Sequence, residues 1–478
     1  MDTNFSVEVF KMSVSVQKKK FVIFPFLIVL ALIIIAGILF TVFSSDKVQY
    51  TMSLSENSYD SLFISMYSIE NYSAEDFQTF RGLNTLINPH PVKSSKELIS
   101  YLDSAFASGN VIDTVYIGLD PYKIYQSGAT SEATMAETLT GLFAYMRDYP
   151  DVTFEILLPA PQIDYWLALN ETQREEALLS YRYLISCMSP HSNAICFFHG
   201  SEEWLIANPN NYTGPFSPNP LISQKLLLFS FCDREYQVTV ANADLLLGKL
   251  RSVIEKQAGA KYPDLSGKTI VFFGDSILGL DYGSYSIPGI INGLTGADVY
   301  NYAIGGTTGC DFNTDTDSDN SFRDQVDKFV NRADFYTGDN TRFPYDNINS
   351  ENMIFVINYG FNDFLFSFEP EDFYQALQNE ITLIQNEYPE AQIMIMVPHE
   401  NVYAGSGKVA PNEQGIFLTE YADAVKKLAA EQNLTLLDVP ALVTVDEDTH
   451  KEYFRDGCHY NEQGRFYMAE YIIDIIEK

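Results

Sequence analysis

Ser276 stands in Gly274-Asp275-Ser276, directly after the apolar run Thr269–Phe273. His459 stands in Asp456-Gly457-Cys458-His459, directly before the last amphipathic stretch of the chain. A serine hydroxyl is a weak nucleophile until an adjacent base takes its proton, and an imidazole suits that task near neutral pH. An Asp three residues before a His can lie under the ring within one turn, fix its tautomer and stabilise the imidazolium. Two further segments lie between, Asn301-Tyr302-Ala303-Ile304-Gly305-Gly306 and Gly360-Phe361-Asn362-Asp363. A bare glycine lets a backbone N–H approach a substrate, and an asparagine supplies an amide donor. Together with the N–H of Ser276 these would give three donors to a tetrahedral oxyanion. The chemistry such a set would perform is acyl transfer from an ester.

These residues need elements that bring them to one place. Short apolar runs alternate with amphipathic stretches, which predicts parallel α/β layering in two halves. In the first half strands are expected at Ser61–Met66, Asp113–Ile117, Val152–Leu157 and Ala194–Phe198, with helices at Ser95–Ala107, Ser131–Arg147, Gln173–Met188 and Ala241–Lys256. The polar, Gly- and Pro-containing stretch Gln257–Lys268 reads as a linker. In the second half strands are expected at Thr269–Phe273, Asp298–Tyr302, Met353–Asn358, Gln392–Val397 and Thr435–Leu437. Helices are expected at Glu371–Glu387, Gln414–Glu431 and Glu462–Ile476. A serine after a strand lies at the carboxyl edge of the sheet, where open α/β sheets bind ligands.

Three of the four chemical segments close successive expected strands, and the fourth precedes the last helix. This block order resembles the SGNH (GDSL-type) hydrolase family, and the resemblance covers residues 268–478. It implies a flavodoxin-like sheet and a Ser-His-Asp site without the usual nucleophile elbow. The family's serine falls on Ser276, its oxyanion glycine on Gly306 with Gly305 as second choice, its oxyanion asparagine on Asn362, and its Asp and His on Asp456 and His459. The Leu of G-D-S-L is here Ile277, a conservative change. His399 and His450 compete for the base, but neither has an Asp three residues before it.

The first half is similar to an extracytoplasmic SGNH-like domain related to the D-alanyl transfer protein of teichoic-acid modification. The resemblance rests on Tyr59–Asn71, Val115–Tyr122, the Leu-Leu-Pro-Ala-Pro stretch with Tyr165-Trp166, and Asn211-Tyr212. Where that group has G-x-S, this chain reads Ser65-Met66-Tyr67, and the late segment Thr213–Ser217 holds no Asp or His. The resemblance implies a fold kept and a site lost. The expected architecture is therefore an N-terminal transmembrane helix followed by two flavodoxin-like three-layer α/β/α domains, residues 50–256 and 268–478, joined by a linker at 257–267.

Residues 21–43 carry no charge, and as a helix they would span about 34 Å, enough for a hydrocarbon core. Lys18, Lys19 and Lys20 precede them and only Lys47 follows soon after. The positive-inside rule then leaves residues 1–20 as a cytoplasmic tail and puts the rest outside, as a single-pass protein of the cell membrane. A cleaved signal peptide is the rival reading, but its apolar region is usually shorter and no clear A-x-A site follows here. No cysteine follows closely enough for a lipid anchor.

Apolar residues make up 46% of the chain, so each half can fill a core. The net charge of −33, from 63 acidic and 30 basic residues, repels phosphate backbones and makes nucleic acid a poor partner. Cys187, Cys196, Cys232, Cys310 and Cys458 show no C-x-x-C spacing, which argues against a zinc ribbon or redox pair. The acidic stretch Cys310–Asn320 lacks the Gly and Glu of a calcium loop, having Thr316 and Phe322 at those positions, so it reads as a solvated loop. Tyr359, Phe361, Phe364, Phe366 and Phe368 would either pack the core or line an acyl or sugar pocket.

No cofactor or metal is expected. The leading expectation is an extracytoplasmic esterase acting on an O-acylated glycan or wall polymer. Two alternatives are an O-acyltransferase working with a membrane acyltransferase partner, and a surface binding protein with a silent fold.

Overall fold

The computed structural model describes residues 58–230, 234, 236–312, 321–332, 343–347, 349–399, 410–442 and 450–478. The expected membrane span at 21–43 and Cys232 lie outside them. Among the described residues no helix is long and apolar enough to cross a membrane.

Two parallel-rich sheets carry the chain. The first is built from β1 (Ser61–Ser65), β2 (Thr85–Ile87), β3 (Thr114–Gly118), β4 (Thr153–Leu158), β5 (Ala194–Phe198) and, after a small hairpin of β6 (Tyr212–Gly214) and β7 (Ser217–Pro218), β8 (Gln237–Val238). Its order is β2-β1-β3-β4-β5-β8, parallel throughout except for β8 against β5. The second contains β9 (Thr269–Gly274), β10 (Asp298–Asn301), β11 (Met353–Asn358), β12 (Gln392–Met396) and β13 (Thr435–Leu437). Its order is β10-β9-β11-β12-β13, all parallel. Leaving β8 aside, both sheets follow the flavodoxin-like order 2-1-3-4-5.

The interior strands are continuous apolar runs because helices cover both faces of a parallel sheet. Every residue of β9 (TIVFFG) and of β11 (MIFVIN) is buried. Phe273 of β9 packs on Tyr302, Phe322, Phe329 and Phe355 at ring separations of 5.5–6.2 Å. Such a ring contributes about 1.5–3 kcal/mol by leaving water. In the first half Phe63, Tyr116, Leu157 and Phe197 of the sheet and Phe77 of the helix Ala74–Arg81 form the corresponding core.

The structure departs from the sequence pattern in several places, and adds short helices such as Ala74–Arg81, Ile287–Thr295 and Phe322–Val330 that the pattern does not predict. β2 is absent from the expected strands, because three residues at a sheet edge carry too little periodicity to read. The helix expected at Ser131–Arg147 is two, Glu132–Thr138 and Thr140–Asp148, with a break at Leu139 (φ −99°, ψ 7°). The helix expected from Gln414 begins at Leu418. The helix Val240–Gly259 runs into the expected linker, and beyond it Tyr262 donates to Glu470 Oε1 at 2.7 Å. Gln257, which helps suggest a loop there, donates to Glu203 Oε1 at 2.8 Å.

Register places the chemistry. Gly274 pairs with Asn358 and Phe272 with Asn301. The chain segments leaving β9, β10 and β11 therefore emerge side by side at the carboxyl edge. Gly279 lets the turn after β9 approach the turn after β10: a Cβ there would lie 2.4 Å from the Ala303 carbonyl oxygen.

Candidate active site

Ser276 opens the one-turn helix Ser276–Gly279, whose N-cap is Asp275. The Asp275 carboxylate accepts the Ile277 N–H at 2.9 Å, which pins the turn that presents the serine. Asp275 is 1% exposed. Burial pushes its carboxyl up to about 7, and nearby Asp363 adds to the rise against the Ile277 hydrogen bond.

His459 Nε2 lies 2.9 Å from Ser276 Oγ, and His459 Nδ1 lies 2.7 Å from Asp456 Oδ2. The other carboxylate oxygen, Oδ1, accepts the backbone N–H groups of Cys458 at 3.0 Å and His459 at 2.8 Å. Burial acts to raise Asp456, but the N–H groups and the imidazole outweigh it and hold the carboxyl below its ordinary range. The carboxylate thus accepts at Oδ2, which selects the tautomer with hydrogen on Nδ1 and leaves Nε2 free to accept from the serine.

The third strand end contributes the short helix Phe361–Leu365. Asn362 is buried there, and its amide donates to the Thr307 carbonyl at 2.8 Å. An amide nitrogen has two hydrogens, so one remains to donate elsewhere. Gly306 has φ +85°, a left-handed conformation that suits glycine, and open space surrounds the position of a Cβ. Gly305 lies closer to Ser276: its Cβ would sit 3.7 Å from that of the serine. The structure therefore brings Ser276, His459 and Asp456 into one hydrogen-bonded chain. It sets Asn362 against the turn that carries Gly305 and Gly306.

Three residues to which sequence reasoning gives no supporting role organise this site. Asp363, fully buried, accepts Gly309 N–H and Cys310 N–H at 2.9 Å each. Burial pushes it up to about 6 against those hydrogen bonds. His399 is a buried ring whose Nε2–H donates to the Cys458 carbonyl at 2.7 Å. Burial lowers it to about 4, so it is a neutral prop for the Asp456–His459 loop. Arg465, from the last helix, donates to the Tyr460 carbonyl at 2.9 Å and to Asp281 at 2.7 Å. Only the oddity of charged or polar residues inside apolar runs hints at these roles.

The aromatic cluster divides: Tyr359, Phe361 and Phe364 are core, whereas Phe366 is 55% exposed. Cys458 is buried, and burial pushes its thiol up, as for a packing residue. The His450 side chain and residues 313–320 of the acidic loop lie outside the described residues. Among the described residues no group of three His, Cys, Asp or Glu side chains is placed to hold a metal ion.

At the same edge of the first sheet, Tyr67 follows β1 where Ser276 follows β9. Its hydroxyl donates to the Leu157 carbonyl at 3.0 Å, and burial raises it well above its ordinary value. Tyr181 and Tyr212 donate likewise to the carbonyls of Pro159 at 3.0 Å and Ala160 at 2.7 Å. The segment Thr213–Ser217 forms the hairpin of β6 and β7. One histidine outside the expected set, His199, is buried with Nε2 3.1 Å from Ser230 Oγ, and burial lowers it to about 3.

A serine, an imidazole and a carboxylate in hydrogen-bonded sequence at the carboxyl edge of a flavodoxin-like sheet define a serine acylhydrolase. Residues 272–465, less than half of the chain, match the GDSL-like Lipase/Acylhydrolase family, and this part of the protein is an SGNH/GDSL-type acylhydrolase domain. Among solved structures, the chain is similar to a lipase/acylhydrolase from Enterococcus faecalis, with 18% identity and a TM-score of 0.32 over 44% of this chain and 95% of the other. It is also similar to a member of the lipolytic protein G-D-S-L family from Veillonella parvula, with 16% identity and a TM-score of 0.32 over 44% of this chain and 99% of the other. No curated protein matches the sequence.

Proposed function

We propose that the protein is a membrane-anchored extracytoplasmic esterase that removes acyl groups from an O-acylated glycan or wall polymer, with Ser276 as nucleophile. The observation that carries the reading is the pair of contacts from Ser276 Oγ to His459 Nε2 at 2.9 Å and from His459 Nδ1 to Asp456 at 2.7 Å. His459 takes the Ser276 proton as Oγ bonds to the ester carbonyl carbon. The N–H groups of Ser276 and Gly306 and the free hydrogen of the Asn362 amide hold the oxyanion. The C–O bond to the alcohol breaks, and His459 returns the proton to the leaving oxygen. Water then attacks the acyl-enzyme with His459 as base, releasing the acid and restoring Ser276.

The polymer class rests on the apolar segment 21–43 and the three lysines before it, which favour an anchored, outward-facing enzyme. The first half fits a noncatalytic SGNH-like domain that binds or positions the polymer. Its strand order repeats that of the second half, and a tyrosine bonded to Leu157 stands where the serine would be.

The test is turnover of p-nitrophenyl acetate, and acetate release from O-acetylated glycans, by the full chain in detergent. Ser276→Ala or His459→Ala should lower turnover about 10⁴-fold or more, because such groups act as a unit. Unchanged turnover by folded Ser276→Ala protein would end the reading. Acyl groups appearing on an added polyol in place of free acid would turn it towards transfer.

A further inference from the structure

We propose that Asp363 is a positioning residue for the oxyanion hole, holding the Gly305–Gly306 turn against Asn362 through the backbone of Gly309 and Cys310. The inference rests on the assignment of that hole under the proposed function.

The turn after β10 has to place an N–H group beside Ser276, yet Gly305 and Gly306 have no side chains to anchor it. Anchoring comes from the residues that follow. Thr307 Oγ1 donates to the Gly274 carbonyl at 2.9 Å, just ahead of the nucleophile. The Thr307 carbonyl accepts the Asn362 amide at 2.8 Å. Two residues on, the carboxylate of Asp363 takes the next two N–H groups, one on each oxygen. Asn362 and Asp363, adjacent on one short helix, therefore grip three consecutive points of the loop.

Asp363 is wholly buried, and among the described residues no Lys, Arg or His forms an ion pair with it. A buried carboxylate without a cation is costly unless its hydrogen bonds are good. Here charge-assisted bonds from two fixed backbone N–H groups provide them, so loop and carboxylate each hold the other in place. The consequence is catalytic because oxyanion donors act on the transition state. A displacement of about 1 Å at such a donor costs on the order of 10²-fold in rate.

Asp363→Asn tests this most directly. The amide has one acceptor oxygen, so it can serve one N–H while its NH₂ group confronts the other. With p-nitrophenyl acetate and the full chain in detergent, kcat should fall about 10–100-fold while KM stays within about threefold. Asp363→Glu, which keeps two acceptors, should recover part of the loss. It also serves as the test if the Asn variant does not fold. In an Asn362→Ala background, itself about 10²–10³-fold impaired, Asp363→Asn should cost clearly less than it does alone.

Folded Asp363→Asn, or Asp363→Glu where only that variant folds, with wild-type kcat would overturn the proposal. A full multiplicative loss in the double variant, or a loss confined to KM, would do the same. Ser276→Ala measured alongside separates the two claims. If it abolishes turnover while Asp363→Asn is normal, only the positioning role fails. If it leaves turnover intact, the underlying site assignment fails as well.

Discussion

Replacing Asp456 by Asn should impair the enzyme more than replacing it by Ala. Asp456 Oδ1 accepts two backbone N–H groups, from Cys458 and His459. In the Asn variant that position can be filled only by the amide oxygen, since an NH₂ group there would face two donors. The NH₂ group is then directed at His459 Nδ1, which lies 2.7 Å from the replaced oxygen. It can bond there only if Nδ1 is the acceptor, which moves the ring hydrogen to Nε2. Nε2–H cannot take a proton from Ser276. In serine proteases this wrong-tautomer effect lowers kcat by about 10⁴-fold.

Here the Asp456 side chain is 42% exposed, so water screens part of the electrostatic contribution, and a loss of about 10³–10⁴-fold is expected. Asp456→Ala removes the carboxylate but imposes no tautomer, and water can reach Nδ1–H and both backbone N–H groups. Its loss should be smaller than that of the Asn variant. The assay is kcat for p-nitrophenyl acetate near neutral pH, with far-ultraviolet circular dichroism as the control for folding. An Asn variant within about tenfold of wild type, or an Ala variant worse than Asn, would refute the tautomer argument.

Two further outcomes are expected, the first from the structure and the second from the proposed membrane anchor. Burial raises Asp275 to about 7, so ionising it costs native stability, and its contribution worsens as pH climbs from about 4 through about 7. Asp275→Asn keeps an oxygen for the Ile277 N–H and removes that ionisation. Its stability relative to wild type, read from Tm, should rise across this range by as much as a few kcal/mol; a difference that is flat with pH would contradict the assignment. For topology, protease added to intact spheroplasts should digest residues 268–478, and full protection beside digestion of a known surface protein would refute the outward orientation.

Much of the site can be read from the sequence because its parts are local. Asp456 and His459 lie within one turn, so their spacing alone encodes their hydrogen bond. Ser276 follows a run so continuously apolar that only a strand buried on both faces accommodates it. Its place at the carboxyl edge then follows from chain direction. The order of the motifs carries the rest of the expectation, since each closes a strand or precedes the last helix.

What local pattern does not encode is which buried polar group meets which. In the sequence His399 reads as a rival base, and only the fold brings it under the Cys458 carbonyl, 59 residues away. Asp363 reads as part of a turn, and only the adjacency of β9 to both β10 and β11 sets its carboxylate against Gly309 and Cys310. Tyr67 is recognisable as a misplaced tyrosine, but its bond to Leu157 depends on the sheet order that carries β4 close to the end of β1. Periodicities of two and 3.6 residues specify which face of an element is buried. Partners across the core depend on which strands lie side by side, and that is decided by packing the whole chain at once.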